Sequence, residues 1–347
     1  MFDQLTGNER VKQLLRRMIE TRRIPGALLF SGEEGIGKKL FALELAKAFN
    51  CRTPRGFEGC DSCPSCVRIS KFNYPQSEDS DDWKKIIWTD HGDVGMVVAP
   101  KRVLLVDQMR QIEREANFRP FEGKARVFVV DQADRFNDPS SNALLKVLEE
   151  PPPTSHIILI TSRPAVLLPT VRSRCQAIRF SPLTSEEIEQ YLVKNKLAAP
   201  GEARLRARSS GGSIGRALTG DLESYKEHRQ AMLQVLTALT LTVDRTSLLR
   251  SAEEMNDSRN KDDYEFSFEL LETLIRDALV LSLDGNKDQL VNEDLLPELT
   301  KIAQRINSHS ATAWISQIEE LREQLTVNIN RKPATDALFL SMAAARS

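Results

Sequence analysis

The stretch from Ala27 to Phe49 restricts this chain more than any other. An apolar run, Ala27 to Phe30, meets a turn carrying Gly32, Gly35 and Gly37. After Lys38, the residues Leu40, Phe41, Leu43, Leu45, Ala46 and Phe49 supply apolar faces at helical spacing. Strand, glycine turn and helix in that order spell G-x-x-x-x-G-K, the frame of a phosphate-binding loop. Glycines let the backbone turn its N–H groups inward as an anion nest, and the helix N-terminus adds its dipole. Lys38 is placed to reach outer phosphates. The next residue departs from the motif, because Lys39 stands where a Ser or Thr hydroxyl ligates Mg²⁺. On this stretch alone, a plain tight turn is the structural alternative.

A second part of a nucleotide site lies further on. Ala125 to Val130 reads as a buried strand ending in Asp131, the Walker B arrangement in which an acid holds the Mg²⁺ hydration shell. Its usual neighbour is a glutamate that polarises the attacking water. Here that position is Gln132, which hydrogen-bonds but cannot take a proton. The alternative for Asp131 is a cap on the sheet. Other elements surround these two strands. Residues 8 to 20 pattern as an amphipathic helix, and RVLLVDQMRQIEREANFRP reads as a strand turning at Asp107 into another. Asp138-Pro139 starts a helix through Glu150, with Asp138 as the capping side chain. His156 to Ile160 and Gln176 to Phe180 read as strands. Strands and helices alternating in this way predict a parallel α/β sheet with ligand groups at the strand ends.

Cys51, Cys60, Cys63 and Cys66 form a C-x8-C-x2-C-x2-C cluster directly after the loop helix. Four thiolates at these spacings close a tetrahedral Zn²⁺ site and leave no open position for a substrate, so the zinc is expected to be structural. Redox cysteines are the alternative reading. The fifth cysteine, Cys175, reads as a small buried hydrophobe. Residues 73 to 101 are weakly patterned and acidic at Glu78, Asp79, Asp81 and Asp82, with His91 read as a solvated loop histidine near Asp93.

At 347 residues, two or three domains are expected. Forty-eight Lys plus Arg against 49 Asp plus Glu argue against holding nucleic acid by bulk charge. No apolar run approaches the roughly 18 residues of a membrane span. The first residues carry no apolar signal region, which predicts a cytoplasmic chain without membrane partners. Beyond Pro182 the texture is helical throughout. Thr184 and Glu187 form a capping box in a small helical unit ending near Gly220, and long helical patterns follow, broken near Asn256–Lys261 and at Asp284-Gly285-Asn286.

Taken together, FDQLTGNE, LLFSGEEGIGKK, the four-cysteine insertion, VVDQADRFNDPSSNALLKVLEEPP and the triplet Ser173-Arg174-Cys175 resemble the clamp-loader branch of the AAA+ ATPases. The resemblance covers nearly all of residues 1 to 220. It implies a RecA-like α/β AAA+ domain over 1–180 with the zinc module at about 50–70, a helical lid over 181–220, and an all-α oligomerisation collar over 221–347. It places Gly32, Gly35, Gly37, Lys38 and Asp131 in a degenerate nucleotide site, and Thr161 and Ser162 in the sensor-1 region. The usual sensor-2 arginine position falls on Gly215, with Arg216 one place late. Residual ATP binding through Lys38 is compatible with these changes, and hydrolysis is not. Arg174 is implied to act in trans as an arginine finger on a neighbour's ATP. The expected role is a stator-like subunit of the DNA polymerase III clamp loader. Its implied partners are gamma/tau-type motor subunits and the delta subunit, with the sliding clamp and primed DNA reached through the complex. The rivals are a motor-type AAA+ ATPase and a zinc-dependent nucleic-acid-binding module.

Overall fold

The computed structural model describes residues 1–77, 80–100, 102–257, 261–286, 289–325 and 330–345. Glu78 and Asp79 of the acidic segment lie outside these residues, as does part of the Asn256–Lys261 break. The chain divides into two compact units, Met1–Thr219 and Gly220–Ser347.

The first unit begins with α1 (Glu9–Glu20), β1 (Ala27–Ser31), α2 (Lys38–Asn50) and the short α3 (Pro64–Ile69). Then come β2 (Ile87–Trp88), β3 (Val94–Val97), α4 (Val106–Ala116), β4 (Arg126–Val130) and α5 (Asp138–Glu149). It continues with β5 (Ser155–Thr161), α6 (Pro169–Arg172) and β6 (Gln176–Arg179). The six strands form one sheet in the order β2-β3-β4-β5-β1-β6, parallel except for the β2–β3 pair.

Side chains alternate between the sheet faces, as strand geometry requires. Leu28, Phe30, Val127, Val129, Ile158 and Ile160 enter one core with α1 and α2. Ala27, Leu29, Phe128, Val130, Ile157 and Leu159 enter the other with α4 and α5. Each fully buried large apolar side chain contributes roughly 1.5–3 kcal/mol, which is why these strands read as continuous apolar runs rather than alternating ones.

Three readings of the sequence are corrected here. The strand expected just before Asp107 is absent; the strand lies at Val94–Val97, in the stretch read as weakly patterned. Its residues pair in register with β4, whereas Leu105 already caps α4 and Leu104 N–H bonds the Arg135 carbonyl. The cap of α5 is Asn137, whose Oδ1 accepts from Ser140 N–H at 2.9 Å, so Asp138 is the first helical residue. His91 is fully buried, with no hydrogen-bond partner on either ring nitrogen among the described residues. Burial holds its pKa below the ordinary histidine value.

α7 (Ser185–Lys194), α8 (Pro200–Ser209) and α9 (Ile214–Thr219) close the first unit around their own small core of Leu183, Ile188, Leu192, Ala203, Ala207 and Ala217. The capping box forms as read: Glu187 N–H donates to Thr184 Oγ1, and Thr184 N–H to Glu187 Oε2. The second unit is helical, from α10 (Leu222–Thr237), α11 (Arg245–Asp257) and α12 (Lys261–Ser282) to α13 (Leu296–Ala303), α14 (Ser308–Leu325) and α15 (Arg331–Ala344). Its helices are pinned by buried polar contacts. The Tyr264 hydroxyl meets Thr335 Oγ1 at 2.6 Å, and Trp314 Nε1 donates to the Met342 carbonyl. α12 ends where Asp284 takes a left-handed conformation and Gly285 N–H caps the Val280 carbonyl at 2.8 Å. Among the described residues, no helix is long and apolar enough to cross a membrane.

Candidate functional site

β1 lies between β5 and β6, neither of which adjoins it in sequence, so the chain leaves its C-terminal end over an open crevice. A cleft of about 470 Å³ occupies that position. Gly35, Gly37, Lys38 and Asp131 line it together, along with Lys39, Gln132, Asp134, Thr161, Ser162 and Gly215. Of the expected nucleotide residues, Gly32 alone stands behind the lining. Its φ of +148° turns the chain against the Phe180 carbonyl, at a distance no Cβ would tolerate.

Lys38 is 6% exposed, and its ammonium donates to the Gly32 carbonyl at 2.6 Å and the Glu33 carbonyl at 2.5 Å. The lysine thereby stitches the loop into a closed turn. Burial pushes its pKa below the ordinary lysine value, opposed by the nearby Asp131. Lys39 Nζ lies 3.8 Å from Asp131 Oδ2. The Lys39 ammonium therefore faces the carboxylate expected from the sequence to be the Walker B acid. Asp131 Oδ1 also accepts from Gln132 N–H at 3.0 Å, and Gln132 is held in the left-handed region at φ +55°.

Two features of the cleft were not visible in the sequence. Asp134 accepts from Thr161 Oγ1 at 2.9 Å and from Arg163 Nη2 at 2.9 Å. Burial opposes its charged form, but the Arg163 and Thr161 hydrogen bonds prevail and hold its carboxyl below the usual range. The expected sensor-1 threonine is thus tied to an acid three residues past Asp131. The second feature is the seat of α9 on the loop. Gly215 N–H donates to the Gly35 carbonyl at 2.9 Å, and a Cβ on Gly35 would collide with Ser213 Oγ. At Gly215, the expected sensor-2 position, two glycines bring backbone against backbone.

The cysteine cluster is brought together as the spacing requires. All four Sγ atoms lie within 4.8 Å of one another, and Cys51 and Cys63 Sγ are 3.9 Å apart. Zn–S bonds of about 2.3 Å in a tetrahedron set sulfur atoms about 3.8 Å apart, so the residues fit the ion. Cys63 N–H and the Thr53 and Ser62 hydroxyls point at Cys60 Sγ. The Ser62 and Thr53 hydroxyls pull the Cys60 pKa down to about 5, whereas burial pushes Cys66 up. The cluster is its own small core, anchored where Asp61 meets Lys47 of α2 at 2.9 Å.

Arg174 lies apart from the cleft lining, in the turn between α6 and β6. Its Nε donates to Glu149 Oε1 at 2.7 Å, and its Nη1 to the Thr170 carbonyl at 2.9 Å. Cys175 beside it is buried, and burial raises its pKa to about 12, so the thiol is a packing group rather than a nucleophile.

Comparison with known proteins adds to this geometry. The profile of the family described as DNA polymerase III, delta subunit, matches residues 7–184, and that of DNA polymerase III, delta subunit, C terminal, matches residues 224–333. The delta' subunit of DNA polymerase III from Bacillus subtilis is 28% identical over 333 residues, covering 96% of this chain and 95% of that protein. The corresponding Escherichia coli delta' subunit is 27% identical over 316 residues, covering 90% of this chain and 87% of that protein. A Mycobacterium bovis gamma/tau subunit is 28% identical over 344 residues, but this chain spans only 56% of its length.

Proposed function

The chain belongs to the DNA polymerase III delta subunit family, and on that footing we propose that it is the delta-prime subunit of a bacterial clamp loader. It works in DNA replication, within a complex of gamma/tau-type motor subunits and a delta subunit that loads the sliding clamp on primed DNA. The similarity along nearly the whole length of two delta' subunits supports this reading over the motor type. The proposed working parts are a RecA-like domain over 1–180, a lid over 181–220 and a collar over 221–347, in a cytoplasmic protein.

The observation that carries the stator role is the charge arrangement at the cleft. The Lys39 ammonium sits 3.8 Å from the Walker B carboxylate, and an amide replaces the general base at Gln132. Lys38 and the glycine turn still offer a phosphate cradle, but the chain has no group to take a proton from water at that position. Its own contribution to hydrolysis is then Arg174, acting on nucleotide bound by the adjacent motor subunit and stabilising charge that develops on the γ-phosphate. The four cysteines would hold one Zn²⁺, which ties their chain segments together and supplies no chemistry to the reaction.

The test is steady-state ATPase of the reconstituted complex with clamp and primed DNA, with assembly followed by gel filtration. Arg174→Ala is expected to assemble and to lower the rate partially. An arginine finger is worth about 10³ or more at its own site, while the other motor sites keep working. A normally assembled complex turning over at the wild-type rate would end the trans-acting role.

A further inference from the structure

We infer that Glu149 is a positioning residue for Arg174. It grips the guanidinium by one edge and leaves the remaining N–H groups for the neighbour's phosphates; the inference rests on the trans-acting reading of Arg174 above. Arg174 Nε donates to Glu149 Oε1 at 2.7 Å, and Nη2 donates to that same oxygen. Nη1 donates to the Thr170 carbonyl at 2.9 Å. A guanidinium carries five N–H groups. Among the described residues three are engaged, one on each nitrogen, and one remains on each terminal nitrogen. Two such donors match the oxygens of a phosphoryl group.

The exposure of the pair fits this division. The Arg174 side chain is 32% exposed and that of Glu149 is 48% exposed, so the ion pair is open to a partner rather than closed in the core. Both anchors are built into helices: Glu149 is the last residue of α5, and Thr170 lies in α6. A long, freely rotating arginine would lose rotamer freedom each time it met a neighbour's nucleotide. Tethered at three N–H groups, it has lost much of that freedom before the subunits meet.

α5 also gives Glu149 a second significance. The helix starts one residue after its Asn137 cap, and Asp134 and Arg135, just before it, line the chain's own cleft. α5 thus begins three residues past the cleft lining and ends at the residue that holds Arg174.

The reconstituted complex distinguishes this role from simple structural support. Arg174→Ala sets the full contribution of the finger to clamp- and DNA-stimulated ATPase. Glu149→Ala is expected to lose half or more of that contribution, in kcat with little change in KM for ATP. Glu149→Gln keeps an acceptor oxygen at the same reach and is expected to recover most of it. In an Arg174→Ala background, Glu149→Ala should add nothing, because the two residues act as one unit. If the alanine chain does not assemble, Glu149→Met, near in shape to glutamine but without the acceptor, replaces it. A wild-type rate in Glu149→Ala, with Arg174→Ala impaired, overturns the inference. So does a rate above wild type, which would make Glu149 a restraint, or a full additional loss on top of Arg174→Ala. An unimpaired Arg174→Ala complex removes the finger reading itself, and this inference falls with it.

Discussion

Removing the metal from the cysteine cluster should melt the segment from Cys51 to Ile69 and spare the sheet. The reason is the content of that segment. Apart from Ile69, which packs into the core under α1 and α2, its buried apolar groups are the four cysteines themselves, and its only helix, α3, has six residues. Isolated helices shorter than about 12–15 residues are marginal in water, so α3 has no stability of its own. Structural zinc sites in small peptides contribute roughly 10–16 kcal/mol at pH 7, more than the few polar anchors such as Lys47–Asp61 can replace. Losing one thiolate of four should lower zinc affinity by at least about 100-fold, since disturbing even outer-shell partners costs about 10–100-fold. Acid should do the same. The ion is held by deprotonated thiolates, so protons compete with it for the four sulfurs as pH falls. The assay is elemental analysis of protein purified without added metal, followed by limited proteolysis with and without chelator. One zinc per chain and new cleavage confined to residues 51–69 are expected. Absence of zinc, or its full retention after Cys60→Ser plus Cys63→Ser, would refute the reasoning.

The isolated chain should show negligible ATP hydrolysis. The missing hydroxyl and carboxylate together cost roughly two to four powers of ten in rate, and turnover at motor-subunit rates abolished by Lys38→Ala would favour the enzyme rival. Arg174→Lys should be nearly as poor as Arg174→Ala in the complex, because an ammonium cannot reproduce the planar fork; full activity of the lysine variant would argue for simple charge. Asp93→Ala should destabilise the first unit by about 3 kcal/mol in urea melts. The buried Asp93 carboxylate accepts the N–H groups of Phe121, Glu122 and Gly123 at 2.7, 2.9 and 2.8 Å, and an unchanged midpoint would mean those groups are re-solvated at no cost.

What the sequence determined by itself is whatever a short window of chain can encode. The glycine turn after a run of apolar residues, the cysteine spacing and the Thr184–Glu187 capping box depend on neighbours a few residues apart, and each was legible before any coordinates. So was the parallel α/β character, because strands and helices alternate along the first half of the chain. The tertiary structure decided which distant groups meet. Lys39 faces Asp131, Gly215 rests on Gly35, Thr161 binds Asp134, and Glu149 holds Arg174, pairs separated by 25 to 180 residues. No periodicity connects them. The first three pairs meet because the ends of β1, β4 and β5 and the start of α9 gather over one crevice, whereas Glu149 meets Arg174 where the end of α5 lies beside the turn between α6 and β6. The misplaced strand and the buried His91 have the same origin. Val94–Val97 is too short to show a period, and its identity as a strand comes from pairing with β4 rather than from its own composition.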